Sequence, residues 1–429
     1  MDLGTARWLA SGEGRDALLA ASVLDAEAHA AAAAGRGRVD PLALATAVRR
    51  ALPGLDAGQA SALLTQARLR RRARTRLGDV VDSLLLTEDG AEQATRTAVA
   101  DLRAQALVAS GATCVADLGC GLGLDSLAFA RAGLRVAAVE RDPVVAELAR
   151  ANAAALGLDG LVEVADGDVT DPAVLDKALT DADAAYVDPA RRDTGRRIGG
   201  RAARVTDAEE WSPPWSWVEQ VATRVPRLLA KVAPGVPRDL APDGGCTTWT
   251  SVDGQLVEAE VAWPLAASSY GGHARRARAV RGSAVHVLGS PKLADDAAPP
   301  VGPVGRWLHE PDDAVIRAGL VGDVARMVGG RLLDKHVAYV TSDDDVEDPL
   351  AVRFEVRHAL PYDVTAVRSL LVAEGVGEVV VKKRATSLEP DRVVADLRLP
   401  PADGRAVLLL ARVDDGVLAC ICAWPPAWA

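Results

Sequence analysis

The 429-residue chain is short of aromatic residues, which make up 3% of it, and holds only five cysteines. Hydrophobic residues still reach 49%, so a core must be packed mainly from aliphatic side chains. Cys114, Cys120, Cys246, Cys420 and Cys422 show neither a paired disulfide framework nor a four-ligand zinc spacing, which fits a reducing compartment. No His, Cys and carboxylate cluster has the spacing of a metal site. No run approaches the ~20 apolar residues of a membrane span. The Ala-rich stretch from Ala26 to Ala34 is broken by Glu27 and His29. The opening Met1-Asp2-Leu3-Gly4 lacks the charged-then-apolar layout of a signal peptide. These absences predict a soluble cytoplasmic protein with no membrane contact; they imply no obligate protein partner either way. An excess of positive charge is absent too: net charge is −10 and the isoelectric point is near 5.2. That excludes a uniformly basic nucleic-acid binder but leaves room for a local basic face.

Domains usually span ~100–150 residues, so two or three are expected. Residues 1–78 read as helices, with apolar residues at three- and four-residue spacing and a break at Pro53-Gly54. Helix continues through Thr95–Ser110. Strands and helices then alternate: strands at Cys114–Leu118, Leu134–Val139, Leu161–Ala165, Ala184–Val187 and Leu228–Val232, with helices at Asp125–Ala132 and Pro143–Leu156. That alternation predicts an α/β fold with a parallel, doubly wound, Rossmann-like sheet. Asp253-Gly254 marks a hairpin within Cys246–Trp263, and Val285–Leu288 is a further strand. Lys292–Gly305 reads as a linker. A small α/β unit follows, with strands at Ala338–Thr341, Arg353–Leu360, Glu378–Lys382, Arg392–Leu397 and Ala406–Val413. Its helices are expected at Ala314–Gly319, Val321–Val328 and Val364–Glu374. The predicted division is a helical region over 1–78, a catalytic domain over 79–291 and a C-terminal domain over 306–429.

Asp117-Leu118-Gly119-Cys120-Gly121-Leu122-Gly123 follows an apolar strand and precedes a helix. The glycines let the backbone turn tightly and approach a ligand that a Cβ would block. A dinucleotide fingerprint needs glycine five positions after the first; Leu124 stands there. Glu140, ending the second strand, has the reach to accept the two hydroxyl hydrogens of a ribose. Asp166-Gly167-Asp168 follows the third strand. Each feature also has a plain structural reading as a turn, a solvated charge or a helix cap; their order on the expected elements favours the ligand.

The order Asp-x-Gly-x-Gly-x-Gly resembles motif I of class I S-adenosylmethionine-dependent methyltransferases. The resemblance implies S-adenosylmethionine as cofactor, with Asp117 near its amino-acid end, Gly119, Gly121 and Gly123 beneath it, Glu140 on the ribose and Asp168, in preference to Asp166, on the adenine amine. Asp188-Pro189-Ala190-Arg191 after the fourth strand is similar to the Asp/Asn-Pro-Pro-aromatic motif of amine N-methyltransferases. There the acid and a proline carbonyl hold the amino group. Ala190 and Arg191 depart from that pattern, and Arg191 offers a guanidinium plane or a phosphate contact instead of a ring. The segment also looks like the Asp-Pro-Pro-Arg of RNA uracil-C5 methyltransferases, which need a cysteine nucleophile; Cys246 lies in roughly the right place without the flanking motif. Asp188, Pro189 and Arg191 are thus the candidate catalytic residues, with Lys231-Val232-Ala233-Pro234-Gly235 as another wall.

Six arginines lie between Arg191 and Arg204, and Trp211-Ser212-Pro213-Pro214-Trp215 follows. Exposed, these could hold phosphates and stack on bases; the alternative is a solvated loop over two buried tryptophans. Arg68, Arg70, Arg71, Arg72, Arg74 and Arg76 form the densest basic run, a helical knob read as a nucleic-acid contact. Arg275-Arg276-Ala277-Arg278 and Lys382-Lys383-Arg384 are weaker examples. The whole chain resembles a bacterial family of class I methyltransferases with a C-terminal THUMP-like domain. The residues that carry this are Glu92-Gln93-Ala94-Thr95-Arg96, Asp188–Arg192, Ser212–Pro214, Trp307–Asp312 and Val381–Arg384. THUMP domains occur in tRNA- and rRNA-modifying enzymes, where they bind RNA. The resemblance therefore implies methylation of a base nitrogen in structured RNA. The alternatives are a methyltransferase acting on a small molecule or protein, and a non-catalytic RNA-binding protein with the same fold. His309 and Glu310 read as a packing segment, and His336 and His358 as structural or surface residues.

Overall fold

Short polar side chains open the first helices. Asp2, Ser11 and Asp40 each accept a hydrogen bond from a backbone N–H of the first turn, and Asp56 forms a reciprocal capping box with Gln59. A computed structural model describes residues 1–35, 38–190, 192–198, 201–204, 207–263, 272–291, 299–425 and 428. It divides into two compact units, Met1–Val232 with Val261–Gly271, and Ala233–Glu260 with Gly272–Ala429.

The first unit begins with α1 (Leu3–Ala10), α2 (Gly12–Ala33), α3 (Pro41–Ala51), α4 (Ala57–Leu77), α5 (Glu88–Gln93) and α6 (Thr97–Ala109). Between α4 and α5 the expected helix gives way to a 3-10 turn and an extended segment, Leu84-Leu85-Leu86. Side chains supply the bonds this backbone would otherwise lack. Buried Gln66 bonds both the N–H and the C=O of Leu86, at 2.8 and 2.6 Å. Asn152 does the same for Leu85 and also donates to Leu122 O at 3.1 Å.

Strand and helix then alternate: β1 (Cys114–Leu118), α7 (Leu124–Arg131), β2 (Arg135–Glu140), α8 (Pro143–Ala155), β3 (Val162–Asp166), α9 (Pro172–Leu179), β4 (Ala184–Val187). A two-stranded ribbon of β5 (Arg192–Ile198) and β6 (Arg201–Arg204) stands where a loop is expected from sequence. Then come α10 (Trp215–Ala222) and β7 (Leu228–Val232). The strands run parallel in the order β7-β4-β1-β2-β3. The order reverses between β1 and β4, and ligands of open α/β sheets bind outside the carboxyl ends of the strands at such a point.

The arginine run on α4 does not form a free basic knob. Arg68 and Arg72 pair with Glu88, Arg71 with Asp25, and Arg74 with Asp79 and Asp82. Arg76 donates to the carbonyls of Ala91 and Glu92. Arg70 is buried and donates to Leu84 O at 2.8 Å. The run ties α4 to α2, to the 3-10 turn and to α5. The run expected to contact nucleic acid is thus paired within the fold, while Arg71, Arg72 and Arg74 keep exposed side chains.

The second unit holds β8 (Cys246–Val252) and, as far as Glu260, β9 (Gln255–Trp263); the two strands flank Asp253 and Gly254 at φ +48° and +76°. That is the geometry of a tight hairpin turn. β10 (Arg275–Arg281) pairs parallel with β8 and antiparallel with β11 (Ala284–Ser290). Of the expected linker, 292–298 lies outside the described residues. After it come β12 (Trp307–Pro311), α11 (Asp313–Ala318), α12 (Val321–Met327), β13 (Arg331–Asp334), β14 (Val337–Ser342), β15 (Ala351–Pro361) and α13 (Val364–Ala373). The unit continues with β16 (Val376–Arg384), α14 (Pro390–Leu397), β17 (Gly404–Val413) and β18 (Gly416–Ala423). Seven strands form one sheet, in the order β13-β14-β12-β15-β18-β17-β16.

The strand expected at Arg392–Leu397 is the helix α14. Pro390 sits at its start, and Val393 and Leu397, one turn apart, are its buried residues. The other basic runs are also partnered. Arg275 donates to Ala318 O and Gly319 O, and Arg278 faces Glu260. Lys382 and Arg384 share Glu310, and Lys383 meets Glu389. His309 is fully buried on Ser342, and burial pushes its pKa down to about 4, so it is a neutral core residue.

Replacing Arg70 by Ala strands the buried Leu84 carbonyl and should lower unfolding stability by about 1–3 kcal/mol. Replacing Arg72, whose ion pair is exposed, should cost at most about 1 kcal/mol. Chemical denaturation of the two variants checks this difference.

Candidate active site

The turn after β1 is the floor of the site. Gly119, Gly121 and Gly123 have φ of +89°, +57° and +75°, where side chains with a Cβ are strained. The N–H groups of Gly119 and Cys120 both donate to Val139 O at 2.9 Å, which fastens the turn to β2. A Cβ on Gly119 or Gly121 would meet nothing within 4 Å, so both face open space. The N-terminus of α7 follows at once and places its partial positive charge beside that space.

Glu140 ends β2 and reaches back to the turn. One carboxylate oxygen accepts from Gly121 N at 3.0 Å and the other from Asp142 N at 2.9 Å. A carboxylate has about four acceptor positions, so it retains capacity for hydroxyl donors. Asp117 is buried under the turn and accepts from Ser126 Oγ. Burial pushes its pKa up to about 8, against the opposing pull of the Ser126 bond. Asp168 is occupied by its own turn: Oδ1 accepts from Thr170 Oγ1 at 2.7 Å and Thr170 N at 2.8 Å, and these bonds lower its pKa. Asp166 pairs with Arg150.

Asp188 follows β4, on the far side of the reversal point. Its Oδ2 accepts from Lys231 Nζ at 2.7 Å, and Lys231 lies on β7. The same ammonium donates to Gln93 O at 3.4 Å. Next to this, Thr95 Oγ1 donates to Asp125 Oδ2 at 3.0 Å. Fully buried Arg103 pairs with the other Asp125 oxygen and lies over the Tyr186 ring, 4.8 Å from its centroid. Pro189 is buried, and Ala190 exchanges two backbone hydrogen bonds with Ser212, at 2.8 and 3.0 Å. Two segments singled out from sequence, at 188–190 and 212–214, thus adjoin. Arg191 lies outside the described residues.

Trp211 and Trp215 are buried and pack edge to face, with centroids 6.1 Å apart. They are core residues, and the base-stacking reading is overturned for both. Sequence reasoning also left Gln93, Thr95, Asp125 and Arg103 without a role and treated Lys231 only as a wall. A buried lysine within an apolar strand was the available signal for one of them. Cys246 is fully buried on β8, and burial pushes its thiol up to about 11. Such a thiol is a poor nucleophile. Among the described residues there is no group of three or more His, Cys, Asp or Glu arranged to hold a metal. No described helix is long and apolar enough to cross a membrane.

Residues 351–423 match a family model described as THUMP domain-like. Two uncharacterized S-adenosylmethionine-dependent methyltransferases of Mycobacterium tuberculosis, from strains CDC 1551 / Oshkosh and ATCC 25618 / H37Rv, are each 29% identical over 364 residues. The alignments cover 83% of this chain and 94% of theirs. The crystal structure of a methyltransferase candidate from Porphyromonas gingivalis W83 aligns with a TM-score of 0.70 at 20% identity. It covers 88% of this chain and 94% of that one. The residues at the turn fit S-adenosylmethionine, since the space a Cβ would fill at Gly119 and Gly121 is open and Glu140 has acceptors to spare.

Replacing Glu140 by Ala should weaken S-adenosylhomocysteine binding by about 1.5–3 kcal/mol in calorimetry. Gln at 140, which keeps one acceptor oxygen, should weaken it less. Asp117 yields a pH prediction. Its native pKa is raised, so the native state keeps a proton that the unfolded chain gives up above its ordinary value of 3.8. Stability must then fall as pH rises from about 4 to about 8. Asp117→Asn removes that fall, so the variant's melting temperature should gain on the wild type's between those limits. Over most of its length the chain is thus similar to S-adenosylmethionine-dependent methyltransferases, it shares the fold of a methyltransferase candidate, and it carries a THUMP-like domain over 351–423.

Proposed function

We propose that this methyltransferase delivers its methyl group to a nitrogen of a base in structured RNA, tRNA or rRNA. The observation that carries the reading is Asp188 at the carboxyl end of β4. One of its oxygens is taken by Lys231, and the side chain is still 31% exposed. S-adenosylmethionine, held at Asp117, the three glycines, Glu140 and Asp168, supplies an electrophilic methyl group. Asp188 does the work on the acceptor: its remaining lone pairs take an N–H of the amine and so direct the nitrogen lone pair. Pro189 restricts the turn behind it. Catalysis of this kind comes mainly from positioning and from keeping water away. Carbon methylation of a pyrimidine requires an activating thiolate, and the buried Cys246 argues against that route.

In this reading 1–78 is a helical region joined to a catalytic domain at 79–291, and RNA is held by the THUMP-like domain at 306–429. The ribbon directly after Asp188-Pro189 carries arginines in its sequence, and Arg191 begins that stretch. These are the chain's candidates for phosphate contact. One observation favours a second reading, transfer to a small molecule or protein: the three other basic runs have partners within the fold.

Asp188→Ala should lower methyl transfer by at least about 100-fold, as misplacement of a reacting group does. S-adenosylhomocysteine binding should stay nearly intact. Cys246→Ser should remain active. Mass spectrometry of nucleosides from a deletion strain and its parent tests the assignment: one methylated base should be missing. A folded, cofactor-binding but inactive Cys246→Ser enzyme would reassign the chemistry to carbon.

A further inference from the structure

We propose that Lys231 is a positioning residue of the methyl-transfer site, acting through Asp188, and that its charge selects an acceptor nitrogen that is itself uncharged. The inference rests on the reading of Asp188 as the residue that holds the acceptor. Lys231 occupies a strand, Leu228–Val232, in which every residue is buried. Its own side chain is 8% exposed, against 31% for Asp188. A lysine is almost never so buried unless it is paired, and here three chain segments meet on its ammonium. β7 carries it, the end of β4 supplies Asp188 Oδ2 at 2.7 Å, and the end of α5 supplies Gln93 O at 3.4 Å.

The pair has a dry side and a wet side. Lysine lies on the dry side and holds one carboxylate oxygen. Turning the carboxylate away would break its contact with a buried ammonium, which is unfavourable. An acceptor arriving from the wet side therefore meets Asp188 in one orientation. Reacting atoms must lie close to an attack geometry for transfer to proceed, and small misplacements are costly.

Charge sets the second consequence. Lys231 and Asp188 sum to zero, so the pair itself offers no net negative charge to repay the dehydration of an alkyl ammonium. Aliphatic amines are protonated at neutral pH, since an ordinary lysine has a pKa of about 10.4. An exocyclic amino nitrogen of a base is uncharged and has an N–H to give to Asp188; when its nitrogen takes the methyl group from sulfur, that proton passes to Asp188 or to water. The pair thus favours an exocyclic base nitrogen over a protein lysine.

The test uses the full chain, tritiated S-adenosylmethionine, and an extract from a strain lacking the gene as acceptor. Label is sorted by ribonuclease and protease digestion. Thermal melts and S-adenosylhomocysteine calorimetry establish that each variant is folded and binds. Lys231→Met should bind normally, with kcat reduced by roughly 30-fold or more and little change in KM. Lys231→Arg should fall between Met and wild type. A merely structural lysine would change the melting temperature and leave the kcat of the folded fraction intact; that result overturns the positioning role. Should the Met variant not fold, the Arg variant decides: reduced kcat at unchanged S-adenosylhomocysteine affinity supports the role, and wild-type kcat overturns it. Ribonuclease-sensitive label supports an uncharged acceptor. Label on protein lysine overturns both that selectivity and the RNA reading, while the kcat comparison still judges the positioning role. No label in any fraction, with cofactor bound, overturns both.

Discussion

The chain must reverse direction between β1 and α7 within five residues, and it must do so beside open space. Three glycines at positive φ make that possible, and two of them face open space. Once the turn is set, its neighbours are constrained to match it. Val139 O receives two of its N–H groups, and Glu140 receives a third. Asn152, from α8, takes the carbonyl of Leu122 and clasps Leu85 with the same amide. A bulky residue at Gly90 would collide with Leu122, so α5 lies close on the same turn. The helical N-terminal segment is thereby built onto the glycine turn. Gln93 and Thr95, which follow it, reach Lys231 and Asp125.

Electrostatics show how composition misleads. An arginine-dense helix in an acidic chain looks like a nucleic-acid footprint, yet the fold brings Asp25, Asp79, Asp82 and Glu88 to it. Most of those ion pairs are exposed and add little to stability. Their effect is to cancel charge that would otherwise be offered to phosphates. The bonds that matter are the buried ones, from Arg70 to Leu84 O and from Arg103 to Asp125, because an unpaired partner would be left without water. The same reasoning applies in the second unit, where Glu310 takes both Lys382 and Arg384.

Much of the architecture was legible in the sequence. Strand β4 and strand β7 appear at Ala184–Val187 and Leu228–Val232 as expected, and most other elements of the parallel sheet fall within a residue or two. Apolar runs bounded by Gly, Pro and Asp are strong signals because the backbone restrictions are local. Arg392–Leu397 failed because Val393-Val394 fits a strand as readily as a helix. Pro390 and the burial of Val393 and Leu397 one turn apart decide it. Strands β12, β13 and β18 went unread, and so did β10, whose buried Arg275 and Arg278 hide its alternation.

For the site, sequence alone determined the glycine turn, the acid ending β2 and the Asp-Pro after β4. Each follows from residue type and spacing along one stretch of chain. Only the tertiary structure decided what these side chains touch. It set Lys231 against Asp188 across 43 residues and Gln93 against Lys231 across 138. It buried Trp211 and Trp215 and set acids against the arginines of α4. Partners so distant in sequence leave no periodic trace. A charge or a ring has its role fixed by what the packing places next to it.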